Sequence, residues 1–215
     1  MKMLTKTSMY IFCLMAFMAT SCDDDDDTSP ENNGNGHESV EVKMAEDIPA
    51  NPDGGHGQPV EYTFYSFVDG EIVEDSNSTD WDIALGGTTI LVNGGSSGPG
   101  ATQAQIIDDI FSEVNEAPES GYTYDDEDGS GLAIPTGSGN GWYQYAGHPT
   151  HKIEPIAGKV LVFKNEDKGY YAKMEIISYY KGNPDLSQYT DGQPEEDSRY
   201  YTFRFAIQED GSRNF

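Results

Sequence analysis

Only two cysteines occur in the 215 residues, and their positions exclude more chemistry than they supply. Cys13 lies inside an apolar N-terminal run and Cys22 directly follows that run. If the run is a cleaved leader and Cys22 carries lipid, no cysteine is left for a disulfide, a thiol nucleophile, a zinc–thiolate site or an iron–sulfur cluster. Basic residues are scarce too, with 12 Lys and Arg against 38 Asp and Glu, a formal charge of −26. That field repels phosphate backbones and anionic headgroups, which argues against nucleic-acid binding and against membrane contact beyond an anchor. There is no GxSxG, no Walker loop, no HExxH and no dinucleotide fingerprint. Nothing singles out a carboxylate pair for glycoside hydrolysis among the acids. The run Asp125-Asp126-Glu127-Asp128-Gly129 lacks the alternating ligands and closing Glu of a calcium loop, so it reads as a solvated acidic turn. The chain is not expected to be an enzyme.

What is present begins with an address. Lys2 and Lys6 precede the ten apolar residues Met9 to Met18, followed by Ala19-Thr20-Ser21, Cys22 and five aspartates, Asp23 to Asp27. Basic, apolar and small regions in that order make a secretory signal too short to cross a bilayer as a permanent helix. A cysteine directly after the small residues is where a bacterial lipoprotein signal is cut and acylated. Residues 1–21 are expected to be the signal peptide, 22–37 an acidic disordered tether without an aliphatic or aromatic residue, and 38–215 one domain. Loss of Lys2 and Lys6 leaves ten basic residues against 38 acidic ones, a formal charge of −28.

Within 38–215 the apolar signal has a period of two. Order is expected to begin near Val40 and EVKM (41–44), and strand-like runs occur at YTFYSF (62–67), DWDIAL (80–85), TTILVN (88–93), GWYQYA (141–146), GKVLVF (158–163), YYAKMEIISYY (170–180) and RYYTFRFAIQ (199–208), with Asp69-Gly70 turning the chain into EIV. In the last run Tyr201, Phe203, Phe205 and Ile207 share one face, the pattern of a strand half buried against a core. Only QAQIIDDIFSEV (103–114) has apolar residues three and four apart, which predicts one short surface helix. The expected fold is all-β.

Soft and nitrogenous ligands are few: His37, His56, His148, His151, Met44 and Met174 lie beyond the leader. His37 falls in the tether and His56 in a Gly-rich turn. His148 and His151 sit in GHPTHKIEPI, between the aromatic run Trp142-Tyr143-Gln144-Tyr145 and an apolar strand. A loop histidine pair beside aromatics suits a metal or porphyrin site, and equally a turn built around Pro149 with two solvated side chains. In extended chain the two would point to opposite faces about 10 Å apart. They could not both be axial ligands of one haem, because Pro149-Thr150 is too short to pass around the edge of the macrocycle. A bare divalent cation could take both if Pro149 turns the chain.

The order YTFYSFVDGEIV, DWDIALGGTTILVNGGSSGPG, GYTYD, GWYQYAGHPTHKIEPIAGKVLVF, GYYAKMEIISYYK and RYYTFRF resembles the HmuY family of Bacteroidetes surface lipoproteins, over roughly residues 40–208. The resemblance implies an all-β domain with a haem pocket between finger-like loops. It implies a haemophore-like, lipid-anchored protein at the cell surface of the outer membrane. Such a protein takes haem, free or from haem-carrying proteins, for a TonB-dependent outer-membrane transporter. It makes His148 the first axial-ligand candidate, with His151 as its substitute and Met174 as a partner. Trp142, Tyr143 and Tyr145 would border the porphyrin, and Lys152, Lys159 or tyrosine hydroxyls would offset its propionates. The family's best-known member supplies a second histidine upstream, but the matching stretch here, Gly121–Gly141, has no histidine or methionine. The alternative is a surface adhesion or glycan-binding domain in which the 14 tyrosines and two tryptophans stack on sugars.

Overall fold

The computed structural model describes residues 40–54, 57–126, 131–191 and 197–215. The signal segment, Cys22, the tether with His37, and His56 lie outside the described residues. The elements among the described residues are β1 (Val42–Pro49), β2 (Thr63–Ser66), β3 (Glu71–Val73), β4 (Ile83–Gly86), β5 (Thr89–Val92), β6 (Thr102–Asp108), β7 (Tyr143–Tyr145), β8 (Ile153–Pro155), β9 (Lys159–Asn165), β10 (Tyr170–Tyr180), the 3₁₀ turn Leu186–Gln188, and β11 (Ser198–Gln208). The domain is all-β, as its alternating Tyr, Phe, Val and Ile runs require.

Three sheets organise the strands: β1-β11-β10-β9-β6, β3-β2-β4-β5, and the pair β7-β8. Every strand pairing is antiparallel. The two larger sheets meet through aromatic side chains. Tyr65 on β2 lies edge-on to Phe203 of β11 at 5.2 Å, and Phe67 packs on Phe163 of β9 at 4.9 Å. Tyr201, Phe203, Phe205 and Ile207 all point into this core, so the face read from their spacing is the one that meets it. Rings that meet edge-on or tilted at such distances add about 1 kcal/mol each to the apolar area they bury.

A second, smaller cluster lies on the other face of the five-stranded sheet, made by Phe111, Val114, Ala117, Val160, Val162 and Ala206. It explains the main departure from the sequence pattern. Residues 103–114 are not a helix: 102–108 form β6, paired to β9 from Thr102↔Asn165 to Asp108↔Lys159, and a turn follows. Ile106 packs against the large core and Ile107 against the small one. A strand with apolar contacts on both faces carries neighbouring apolar residues, and here that run imitates helical spacing.

The Gly-rich loop after β5 is shaped by close packing. A Cβ at Gly98 would stand 2.5 Å from the Trp81 ring and 2.2 Å from Asn93 Oδ1. Trp81 is fully buried, and its indole N–H donates to the Ser76 carbonyl at 3.0 Å. Asn93 ties the same corner together, donating to the Trp81 carbonyl at 2.8 Å and accepting from the Gly100 amide at 2.8 Å.

Candidate ligand site at the tip of a two-stranded finger

Strands β7 and β8 form a short antiparallel finger with the register Tyr143↔Pro155, Gln144↔Glu154 and Tyr145↔Ile153. Its base is closed by the Ile156 amide donating to the Trp142 carbonyl at 2.8 Å, and its neck by Ala146 N–H donating to the Lys152 carbonyl at 2.9 Å. The tip between them holds both candidate histidines. Gly147 (φ 69°) and His151 (φ 51°) adopt the left-handed region, the His148–Pro149 peptide is cis, and the His151 amide donates to the Gly147 carbonyl at 2.7 Å. The chain is therefore folded back over 147–151. This overturns the extended-chain expectation of side chains on opposite faces.

The two imidazoles now stand together, with ring centroids 5.8 Å apart and planes at 88°. His148 is exposed and His151 half-buried. Tyr145, 41 % exposed, places its ring 5.9 Å from His151, and its hydroxyl is hydrogen-bonded to His151 Nδ1. The other edge of β7 is braced by the Gly/Ser loop before it. Ser138 Oγ accepts from the Tyr145 amide at 2.8 Å and from the Gln144 side-chain amide at 3.0 Å, and Gly139 N–H donates to the Tyr143 carbonyl at 2.9 Å.

The finger is rooted in the core by three bonds. The Trp142 indole N–H donates to the Thr88 carbonyl at 3.0 Å, the Thr88 hydroxyl donates to Tyr143 Oη at 3.5 Å, and Ile153 N–H donates to Tyr180 Oη at 2.8 Å. Trp142 is a root residue and presents no face for stacking: it is 2 % exposed and packs against Tyr143, Tyr179 and Tyr201. Burial pushes the Tyr179, Tyr180 and Tyr201 phenols above their ordinary values, so they remain neutral hydrogen-bonding groups beneath the finger.

Met174 does not join the histidines. It is fully buried in β10, paired in register with Leu161 and Phe205, and its sulfur is core packing. Nor are the lysines free for propionates. Lys159 pairs with Asp108 at 2.5 Å, and Lys152 Nζ donates to the Leu186 carbonyl. A cleft of about 530 Å³ runs along β8, walled by Ile156, Glu175, Pro184 and Leu186, and neither histidine lines it. Among the described residues no three His, Cys, Asp or Glu side chains gather as a metal cage, and no helix is long and apolar enough to cross a membrane.

Two structural acids escaped the sequence reading. Asp125 belongs to the supposed solvated turn, yet it is 1 % exposed. Its carboxylate accepts from the Val92 amide at 3.0 Å and the Ala133 amide at 2.9 Å, closing the open edge of β5. Asp82, inside DWDIAL, is fully buried and accepts from Phe67 N–H at 2.7 Å. Alternating apolar neighbours mark the Asp82 segment as strand, but no local spacing reveals a buried carboxylate there or at Asp125.

The domain thus carries a small, rooted hairpin with imidazole and phenol groups at its tip. The sequence profile of the HmuY family, described as HmuY protein, matches residues 60–195, well over half of the chain and the whole finger. The chain belongs to the HmuY family, a family of haem-binding proteins not known as enzymes. The matched span starts after β1 and stops before β11. A search of curated proteins gave no match.

Proposed function

We propose that this protein is a lipid-anchored haem-capturing protein of the bacterial surface that passes haem to an outer-membrane transporter. The observation that carries the reading is the histidine pair at the exposed tip of a rooted finger, inside the family span. Haem is cargo here. Both histidines project from one five-residue turn, so the finger offers haem one face and one axial nitrogen. His148, the exposed member, is the first ligand, with His151 able to replace it, and the half-exposed Tyr145 ring borders the macrocycle. The opposite iron face takes its ligand from outside this turn. Acylation of Cys22 and the acidic tether after it account for display at the surface.

Haemin titration of the intact chain, followed at the Soret band, tests the capture step. One haemin per chain is expected, with a double His148→Ala/His151→Ala variant losing saturable binding. A double variant that binds like the parent sinks the reading. For the anchor, Cys22→Ser is expected to abolish palmitate labelling and release the protein from membranes.

A further inference from the structure

We propose that the finger tip is also a site for a bare divalent transition-metal cation, held by His148 and His151 and oriented by Tyr145. Ring geometry carries the proposal. An imidazole bound at about 2.0–2.1 Å puts its ring centre about 3.2 Å from the metal. Two such rings at a tetrahedral angle then lie about 5.2 Å apart, and about 6.4 Å apart when opposite each other. The observed 5.8 Å falls between these limits, corresponding to a ligand–metal–ligand angle of about 130°. Perpendicular planes, at 88°, set the edge of one ring toward the other instead of stacking the two.

The second observation is the Tyr145–His151 hydrogen bond. Histidines that bind metals characteristically donate their other ring N–H to an oxygen, which fixes the tautomer and aims the free nitrogen. Tyr145 Oη occupies that place on Nδ1 of His151, leaving Nε2 for the ion. Tyr145 is thus a positioning residue whose oxygen stays off the metal. The remaining coordination positions go to water, as an exposed tip allows.

Charge agrees with a cation. The chain carries a formal −26, and the one lysine in the tip region, Lys152, is turned away to the Leu186 carbonyl. The ligand order for imidazole favours Cu²⁺ over Zn²⁺. Unlike haem, a bare ion has no disc to obstruct it, so both histidines can serve at once. The proposal does not depend on haem capture: a chain that takes Zn²⁺ and refuses haemin supports it.

The experiment is calorimetric titration of the intact chain with Zn²⁺, in a His37→Ala/His56→Ala background that removes the other histidines. One ion per chain is expected. His148→Ala and His151→Ala are each expected to abolish saturable binding, and Tyr145→Phe to weaken it about tenfold. With Cu²⁺, paramagnetic resonance should show two equivalent nitrogens in the parent and one in either single variant. Imidazole ¹⁵N shifts of His151 should place the proton on Nδ1 in the parent, with that preference lost in Tyr145→Phe. The histidines are at an exposed turn, and unchanged circular dichroism of the variants verifies that the fold persists. Zn²⁺ binding that survives His148→Ala, or that vanishes in the His37→Ala/His56→Ala background, overturns the proposal. So does a chain that gives no saturable binding.

Discussion

The Tyr170 hydroxyl on β10 donates to the Asp82 carboxylate ahead of β4, joining the two large sheets through a buried acid. Lys168 Nζ lies 3.3 Å from the same carboxylate, and the Phe67 amide donates to its other oxygen at 2.7 Å. Three donors, two of them from the β9–β10 hairpin, therefore converge on one side chain that has no exposure at all. Asp82→Ala leaves the Phe67 amide and the Tyr170 hydroxyl buried without this acceptor. A loss of about 3 kcal/mol is expected, because each orphaned donor costs its desolvation and the lysine loses its partner. Urea unfolding checks this: the midpoint should fall while the slope stays constant. A loss within about 0.5 kcal/mol, the level of an ordinary surface change, would show that the network contributes little.

The same residue sets a pH signature. Burial is the largest influence on Asp82 and raises its pKa above the ordinary 3.8, outweighing the opposing bonds from Tyr170, Lys168 and Phe67. The folded state thus holds this proton more tightly than the unfolded chain does. Its contribution to stability is fully present below the unfolded value near 3.8 and is lost as pH rises through the raised folded value. Asp82→Asn keeps the shape and removes the titration. The stability of the parent minus that of Asp82→Asn should therefore decline as pH increases from about 4. A difference that grows with pH would mean that Lys168 and Tyr170 outweigh burial.

The strands are legible in the sequence wherever large apolar residues alternate with polar or small ones. Tyr201, Phe203, Phe205 and Ile207 alternate with Tyr200, Thr202 and Arg204, and β11 lies as that alternation demands. Legibility fails where large apolar side chains occupy both faces. Ile106 and Ile107 each find a core, so β6 carries a helix-like pattern although its backbone is extended. It fails again at β8, whose three residues are too few to show a period. At the site, residue type picks out His148, His151 and Tyr145, but their proximity depends on a turn whose direction is set by Gly147 and His151 backbone angles. Trp142 and Met174 carry the right chemistry for a haem neighbour, yet the tertiary fold buries both, which local sequence does not encode.

The finger is expected to open independently of the sheets, and its attachment to β10 gives a way to measure that. Ile153 pairs with Tyr145 in the finger while its own N–H points away, to the Tyr180 hydroxyl. Tyr180→Phe keeps the ring, which packs edge-on to Tyr179 at 5.7 Å, and removes the hydroxyl that accepts from Ile153. The expected cost is about 1 kcal/mol, confined to the finger. Native-state hydrogen exchange separates local from global loss. The Ala146 and Ile156 amides, which close the neck and base of the finger, should exchange about fivefold faster in Tyr180→Phe. Amides of β10 and β11 should keep the parent's rates, since their ladder from Tyr171↔Gln208 to Ile176↔Phe203 is untouched. Equal acceleration in both sets would mean that the hydroxyl supports the whole domain, and no acceleration at Ala146 would mean that the bonds of Trp142 and Tyr143 to Thr88 hold the finger in place.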